Sequence, residues 1–227
     1  MIALGIDTAT RLASVALIRD GEILAEARGD GDGRGTDLLV QIDAVCARAG
    51  VAPKQIEAVA VGAGPGSFTS LRIGMATAKG IAFAAGRPLW AVSSLAALAF
   101  EALEDDRVIV AALDARRGEV YAGAYRRDGS AIASLGDERV LAPGELAAFG
   151  AAHGATRFVG DAAAAYPELA ALPGAWDRTP SGAAVARLAL AGARADVLVT
   201  GVPAYIRPAE AEIKYPDGVP GALRRRG

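Results

Sequence analysis

The stretch Val61-Gly62-Ala63-Gly64-Pro65-Gly66-Ser67-Phe68-Thr69-Ser70-Leu71-Arg72-Ile73-Gly74 reads as strand, tight turn and helix. A β-branched run breaks into glycines and a proline, then restarts with helical spacing. Gly64 and Gly66 permit backbone conformations closed to other residues, Pro65 fixes its own φ, and Ser67 stands where a side-chain oxygen would cap the first free amides of the helix. Such a turn aims backbone N–H groups at one spot, where the helix dipole also favours negative charge, so Gly64, Gly66 and Ser67 are candidates for holding a phosphate. A capped turn with no ligand explains the same spacing. No Gly-Lys-Ser or Gly-Lys-Thr follows, so it is not a Walker loop, and Ser67 occupies the third glycine of the dinucleotide fingerprint.

Outward from this turn the chain repeats itself. Leu4-Gly5-Ile6-Asp7-Thr8 running to Arg19-Asp20-Gly21 returns as Ala112-Leu113-Asp114-Ala115 running to Arg127-Asp128-Gly129. Each copy has an apolar strand ending at an aspartate, a second strand (12–18; 119–125), and an Asp-Gly hairpin into a third (22–27; 130–135). A helix, a buried strand and a glycine loop follow in both: 37–49, 58–62 and the opening turn in the first, 143–150, 157–160 and Gly160-Asp161 before a helix over 162–169 in the second. The shared order implies an α/β fold of two lobes with mixed sheets and flanking helices, spanning 1–105 and 106–227. The join is expected at Glu104-Asp105-Asp106-Arg107. Asp7, with Thr8 beside it, and Asp114 are then expected at strand ends facing the cleft between the lobes. Inherited hairpin geometry, each carboxylate accepting backbone hydrogen bonds, is the competing reading.

Composition narrows the function. The 227 residues carry 24 basic and 26 acidic side chains, a net charge of -2, which gives no global reason to bind nucleic acid or an anionic membrane. Any RNA role is local or indirect. Cys46 is the single cysteine and His153 the single histidine, so an intrachain disulfide and a Cys/His zinc cage are excluded. The chain opens on strand-like sequence without a signal peptide, and charges and glycines interrupt every apolar run short of a membrane span, so a cytoplasmic protein without a membrane anchor is expected.

The helices carry more apolar surface than one sheet covers. On 37–49, Leu38, Leu39, Ile42, Val45, Cys46 and Ala49 form one stripe, with Val40, Ala44 and Ala47 a smaller patch on the far side. On 67–84, Phe68, Leu71, Met75, Ala78 and Ala82 line one face and Ile73, Gly80 and Ala84 nearly the opposite one. Small residues such as Gly74 and Ala78 would let another helix approach closely. The candidate partner contacts are Val40, Ala44, Ala47, Leu71, Gly74, Met75, Ala78 and Ala82. Either a second chain or the rest of this one would cover the surplus. Gly29-Asp30-Gly31-Asp32-Gly33 reads as a solvated loop.

These blocks resemble the TsaB family, also called YeaZ. The resemblance rests on Gly64 to Gly74, Leu4 to Thr8, Val92-Ser93-Ser94-Leu95, Asp114-Ala115-Arg116-Arg117-Gly118-Glu119-Val120-Tyr121 and Pro203-Ala204-Tyr205-Ile206-Arg207. It implies the duplicated actin-like fold shared with sugar kinases. It also implies a non-catalytic role in bacterial synthesis of threonylcarbamoyladenosine on tRNA. In that role the subunit pairs with the catalytic paralogue TsaD and the ATPase subunit TsaE, reaches tRNA through the complex, and forms a homodimer when alone. Helices matching 37–49 and 67–84 form the family's interface. Two departures are visible: Ser70 where members usually carry glycine, and Arg34-Gly35-Thr36-Asp37 where they often place a histidine.

Enzyme readings meet a sparse inventory. The catalytic paralogue holds a metal through a His-x-x-x-His pair, which a chain with one histidine lacks. A serine or cysteine triad would need His153 as its base, in a turn of small residues. The alternative function is a small-molecule phosphotransferase or ATPase of the same fold, with Asp7 or Asp114 holding a magnesium-bound phosphate. Against it, the second lobe offers only Gly160 where a nucleotide-binding relative would place a glycine pair, so no cofactor is expected. A stand-alone RNA-binding module rests only on Arg224-Arg225-Arg226, which reads as a solvated tail.

Overall fold

A computed structural model describes residues 1–29, 36–103, 107–192 and 194–207. The first half runs β1 (Ile2–Asp7), β2 (Ser14–Arg19), β3 (Glu22–Arg28), α1 (Thr36–Ala49), β4 (Ala58–Gly62), α2 (Phe68–Ala85), β5 (Leu89–Val92) and α3 (Ser94–Ala102). The second repeats it: β6 (Val108–Arg116), β7 (Glu119–Asp128), β8 (Ala131–Ser134), β9 (Arg139–Leu141), α4 (Leu146–Ala152), β10 (Ala155–Gly160), α5 (Ala162–Ala165), β11 (Gly174–Ala175) and α6 (Gly182–Ala191).

The two sheets have the same order, β3-β2-β1-β4-β5 and β8-β7-β6-β10-β11, with β9 added against β7. In each, the first two pairings are antiparallel and the next two parallel. This is the two-lobed α/β duplication, with mixed sheets and flanking helices, that the sequence echo implies. The first hairpin turns on Asp20 and Gly21, both at positive φ (52° and 92°), as a two-residue turn between twisted strands requires.

Helices cover both faces of both sheets. Ile2, Leu4 and Ile6 of β1 point to one face, where they pack with Leu38, Ile42, Val45 and Cys46 of α1 and Met75, Ala78 and Ala82 of α2. Each fully buried aliphatic side chain there contributes about 1.5–3 kcal/mol of transfer free energy. Ala3 and its neighbours face the other way, against Ala184, Val185 and Leu188 of α6. Gly5 and Gly182 make that seat possible, since a Cβ on Gly5 would lie 1.9 Å from the Gly182 carbonyl oxygen. Conversely, α3 from the first half packs Leu95, Leu98 and Ala99 on Leu113, Tyr121 and Tyr125 of the second sheet. Each half thus lends its last helix to the other. Leu146, Phe149 and Leu169 cover the remaining face.

Several expectations change here. The helix expected over 162–169 stops after one turn at Tyr166 and resumes as a 3-10 turn over Pro167–Ala171, because Pro167 has no N–H to donate. Leu39, placed in the core stripe of the first helix, is 59% exposed. Residues 104–106 at the expected join, 30–33 of the expected solvated loop, and Arg224–Arg226 lie outside the described residues.

Candidate functional site

The opening turn is built as read, and several of its polar groups bond within the chain. Gly64 has φ 109° and is joined to Pro65 by a cis peptide. Its carbonyl accepts from the Ser94 amide at 2.7 Å, while the Ser67 amide donates to the Ala9 carbonyl at 2.8 Å. Gly66 allows that approach, since a Cβ there would sit 2.3 Å from the Ala9 carbonyl oxygen. Ser67 precedes α2 but does not cap it, because its Oγ accepts instead from the Ser70 hydroxyl at 3.0 Å. Thr8 ties β1 to the same helix by donating from Oγ1 to the Ser70 carbonyl at 2.8 Å. Several of the groups weighed as a phosphate cradle thus also join β1, β4 and α2.

Asp7 is wholly buried. Its Oδ1 accepts from the Ala9 amide at 2.8 Å and its Oδ2 from the Ser94 hydroxyl at 2.7 Å. A Cβ on Gly62 would lie 1.9 Å from that Oδ2, so the carboxyl is sealed over the end of β4, which corrects the expectation that it lines the cleft between the lobes. Burial raises its pKa from 3.8 to about 6, against the opposing pull of the two hydrogen bonds and the charge of Arg28.

Asp114 repeats the local pattern with more access. Its Oδ1 accepts from the Arg116 amide at 2.7 Å and from the Tyr166 hydroxyl at 3.3 Å, and its Oδ2 faces the Arg116 guanidinium at 3.3 Å. Its own amide donates to Asp161 at 3.1 Å, whose carboxyl is pushed up by burial and by the neighbouring Asp114 charge. Both aspartates accept from the amide two residues on, the hairpin geometry weighed against catalysis. Gly160 lets β10 close on β6, since a Cβ would meet the Ala112 carbonyl oxygen at 1.8 Å. His153 packs tilted against Phe149 (ring centroids 4.4 Å apart), with Nδ1 hydrogen-bonded to the Phe149 carbonyl. Among the described residues no three His, Cys, Asp or Glu side chains cluster as a metal site would need.

The partner-contact candidates divide. Val40, Ala44 and Ala47 are exposed on α1. Leu71, Gly74, Met75, Ala78 and Ala82 are all buried against this chain's own core, which corrects their placement at a partner surface. Gly74 is small for an internal reason: a Cβ there would lie 2.2 Å from Thr8 Oγ1. The outward side of α2 instead carries Ala76, Gly80, Phe83 and Ala84. Phe83 is 78% exposed and Val40 67%. The residues following α6 cover one flank: Val197 donates to the Leu89 carbonyl, the Lys79 ammonium reaches the Val199 carbonyl, and Tyr205 packs on Phe68. An apolar outer face remains after that covering.

A family model described as TsaD: tRNA N6-adenosine threonylcarbamoyltransferase matches residues 36–197. A crystal structure from Pseudomonas aeruginosa, described as similar to peptidase YEAZ, superposes with a TM-score of 0.79 at 31% identity, covering 91% of this chain and 99% of that one. The chain belongs to the TsaB (YeaZ) family. The Escherichia coli tRNA threonylcarbamoyladenosine biosynthesis protein TsaB is 39% identical over 134 residues, 58% of each chain. Its Bacillus subtilis counterpart is 34% identical over 127 residues, 56% of each. The match thus spans somewhat over half the length of these curated relatives. Among the described residues no helix is long and apolar enough to cross a membrane.

Proposed function

We propose that this chain is a non-catalytic partner subunit for tRNA threonylcarbamoyladenosine synthesis, pairing with the paralogue TsaD through the outer faces of α1 and α2. The observation that carries the reading is the exposure of Leu39, Val40 and Phe83 on the two helices that already cover the first sheet. Large apolar side chains on an ordered outer layer, with Ala44, Ala47, Ala76 and Gly80 around them, suit a close helix-to-helix contact. TsaB relatives bear the name of the pathway, and the match to a TsaD family model fits pairing with a paralogue of kindred architecture. Asp7 sealed under Ser94 and Gly62, and the single histidine committed to Phe149, support a role without chemistry of its own. In this reading the chain forms a homodimer alone, meets TsaE and tRNA within the assembly, and works in the cytoplasm.

Co-purification with TsaD and TsaE, followed by intact-mass analysis, tests it. The expected result is a stoichiometric mixed complex, and a dimer when the chain is alone. A monomer indifferent to TsaD overturns the reading, and ATP turnover by the isolated chain replaces it with a phosphotransferase.

A further inference from the structure

The block Pro203-Ala204-Tyr205-Ile206-Arg207 borders the outer side of α2 and touches both halves of the molecule. On the first half, the Ala204 amide donates to the Ala63 carbonyl at 2.7 Å, just before the Gly-Pro-Gly turn. Tyr205 packs on Phe68 with ring centroids 4.9 Å apart, and its hydroxyl accepts from Arg72 Nε at 2.9 Å. The Arg72 guanidinium lies 3.7 Å from the Phe68 ring centre, so ring, cation and ring interlock at the start of α2. Ile206 packs against the cluster that joins Leu71 and Leu95 to Leu113. On the second half, Arg207 Nη1 donates to the Glu119 carboxylate at 2.6 Å and to the Ala115 carbonyl at 3.1 Å.

That second anchor holds an unusual hairpin. Arg116, Arg117 and Gly118 all have positive φ (64°, 60° and 79°), and the β6–β7 register shifts between Asp114 and Arg116. Arg117 and Gly118 are the two turn residues, whose positive φ the hairpin requires, whereas left-handed backbone at Arg116, outside that turn, persists only where surrounding contacts over-determine it. The contacts that do so are the Asp114 carboxylate on the Arg116 amide and Arg207 on both Ala115 and Glu119.

The geometry points to residues 203–207 as an interlobe clasp. Docked, it holds the Gly-Pro-Gly turn of the first half against the β6–β7 hairpin of the second; released, the halves part along this edge and stay joined through the layer formed by α3 and α6. The test uses the chain alone, so its outcome does not depend on TsaD.

Hydrogen exchange by mass spectrometry on the full chain tests it. Arg207→Glu sets two carboxylates against each other and removes a charge-assisted bond, and it is expected to speed amide exchange at 63–68 and 115–119 together by about ten- to a hundredfold. The swap Arg207→Glu with Glu119→Arg is expected to restore both. Tyr205→Ala, which loses contacts only on the first half, is expected to speed exchange at 115–119 as well. Acceleration confined to the half each variant touches would overturn the clasp. Should Arg207→Glu unfold the chain, the cross-half response to Tyr205→Ala decides.

Discussion

Asp7 is the residue whose chemistry and position are most at odds. A carboxyl with a solution pKa near 3.8 is wholly enclosed and holds its proton up to about 6. Because the folded pKa is raised, the folded state binds the proton more tightly than the unfolded chain. Asp7 therefore lowers stability as pH rises from about 4 to about 6, and the cost persists above. The displacement corresponds to about 3 kcal/mol at neutral pH. Asp7→Asn keeps an acceptor for the Ala9 amide, and the Ser94 hydroxyl accepts from the new amide. Urea unfolding of Asp7→Asn is expected to show higher stability than wild type at pH 7 and parity near pH 4. Equal stability at both values would refute the account of this site. Glu138, raised by burial between Ser93 and Tyr125, and Asp161 act in the same direction, so only the difference between the two proteins isolates Asp7. From sequence the aspartate was legible as a strand-end residue; its closure was not, since Gly62 and Ser94 reach it from 55 and 87 residues away.

At the scale of elements, α2 shows what a single sequence leaves undecided. Its two apolar faces are plain in the helical wheel, but which one is core depends on Thr8 and the first sheet arriving under Gly74, Met75 and Ala78. Gly74 and Gly80 look alike in sequence and differ in place. Gly74→Ala drives a methyl group into Thr8 and is expected to cost about 1–3 kcal/mol by thermal unfolding. A Cβ on Gly80 meets nothing within 4 Å, so Gly80→Ala is expected to add about 1 kcal/mol to the isolated chain through helix propensity. Reversed signs would mean the helix sits in another rotation. Ala78→Arg, on the same logic, reports on folding and not on partner contact, because Ala78 is completely buried. The sequence reading passed over α6 although Ser181 caps it, accepting from the Ala184 amide. Its residues Ala183 to Ala186 are buried all round between the first sheet and α3, so no polar stripe marks a period.

Across the whole molecule, the echo of one hairpin in another extends to two sheets of identical strand order, with α3 and α6 exchanged between halves. The shared order of strands and helices along the chain was legible because duplication preserves local patterns; the exchange of α3 and α6 was not. An apolar surplus on α1 and α2 was legible as well, but not that Phe83 would carry it on the outward side of α2. The account's central claim is that the outward side of α1 and α2 is kept apolar for a second subunit, and Phe83, exposed and distant from the buried face, is its most direct probe. Sedimentation velocity of the chain mixed with TsaD, wild type beside Phe83→Asp, measures it, because a charge driven into a helix contact is costly while the same charge in water is not. The expected result is a mixed complex for wild type, at least about a tenfold loss of affinity for Phe83→Asp, and an unchanged melting temperature. A Phe83→Asp chain that binds TsaD as tightly as wild type would contradict it.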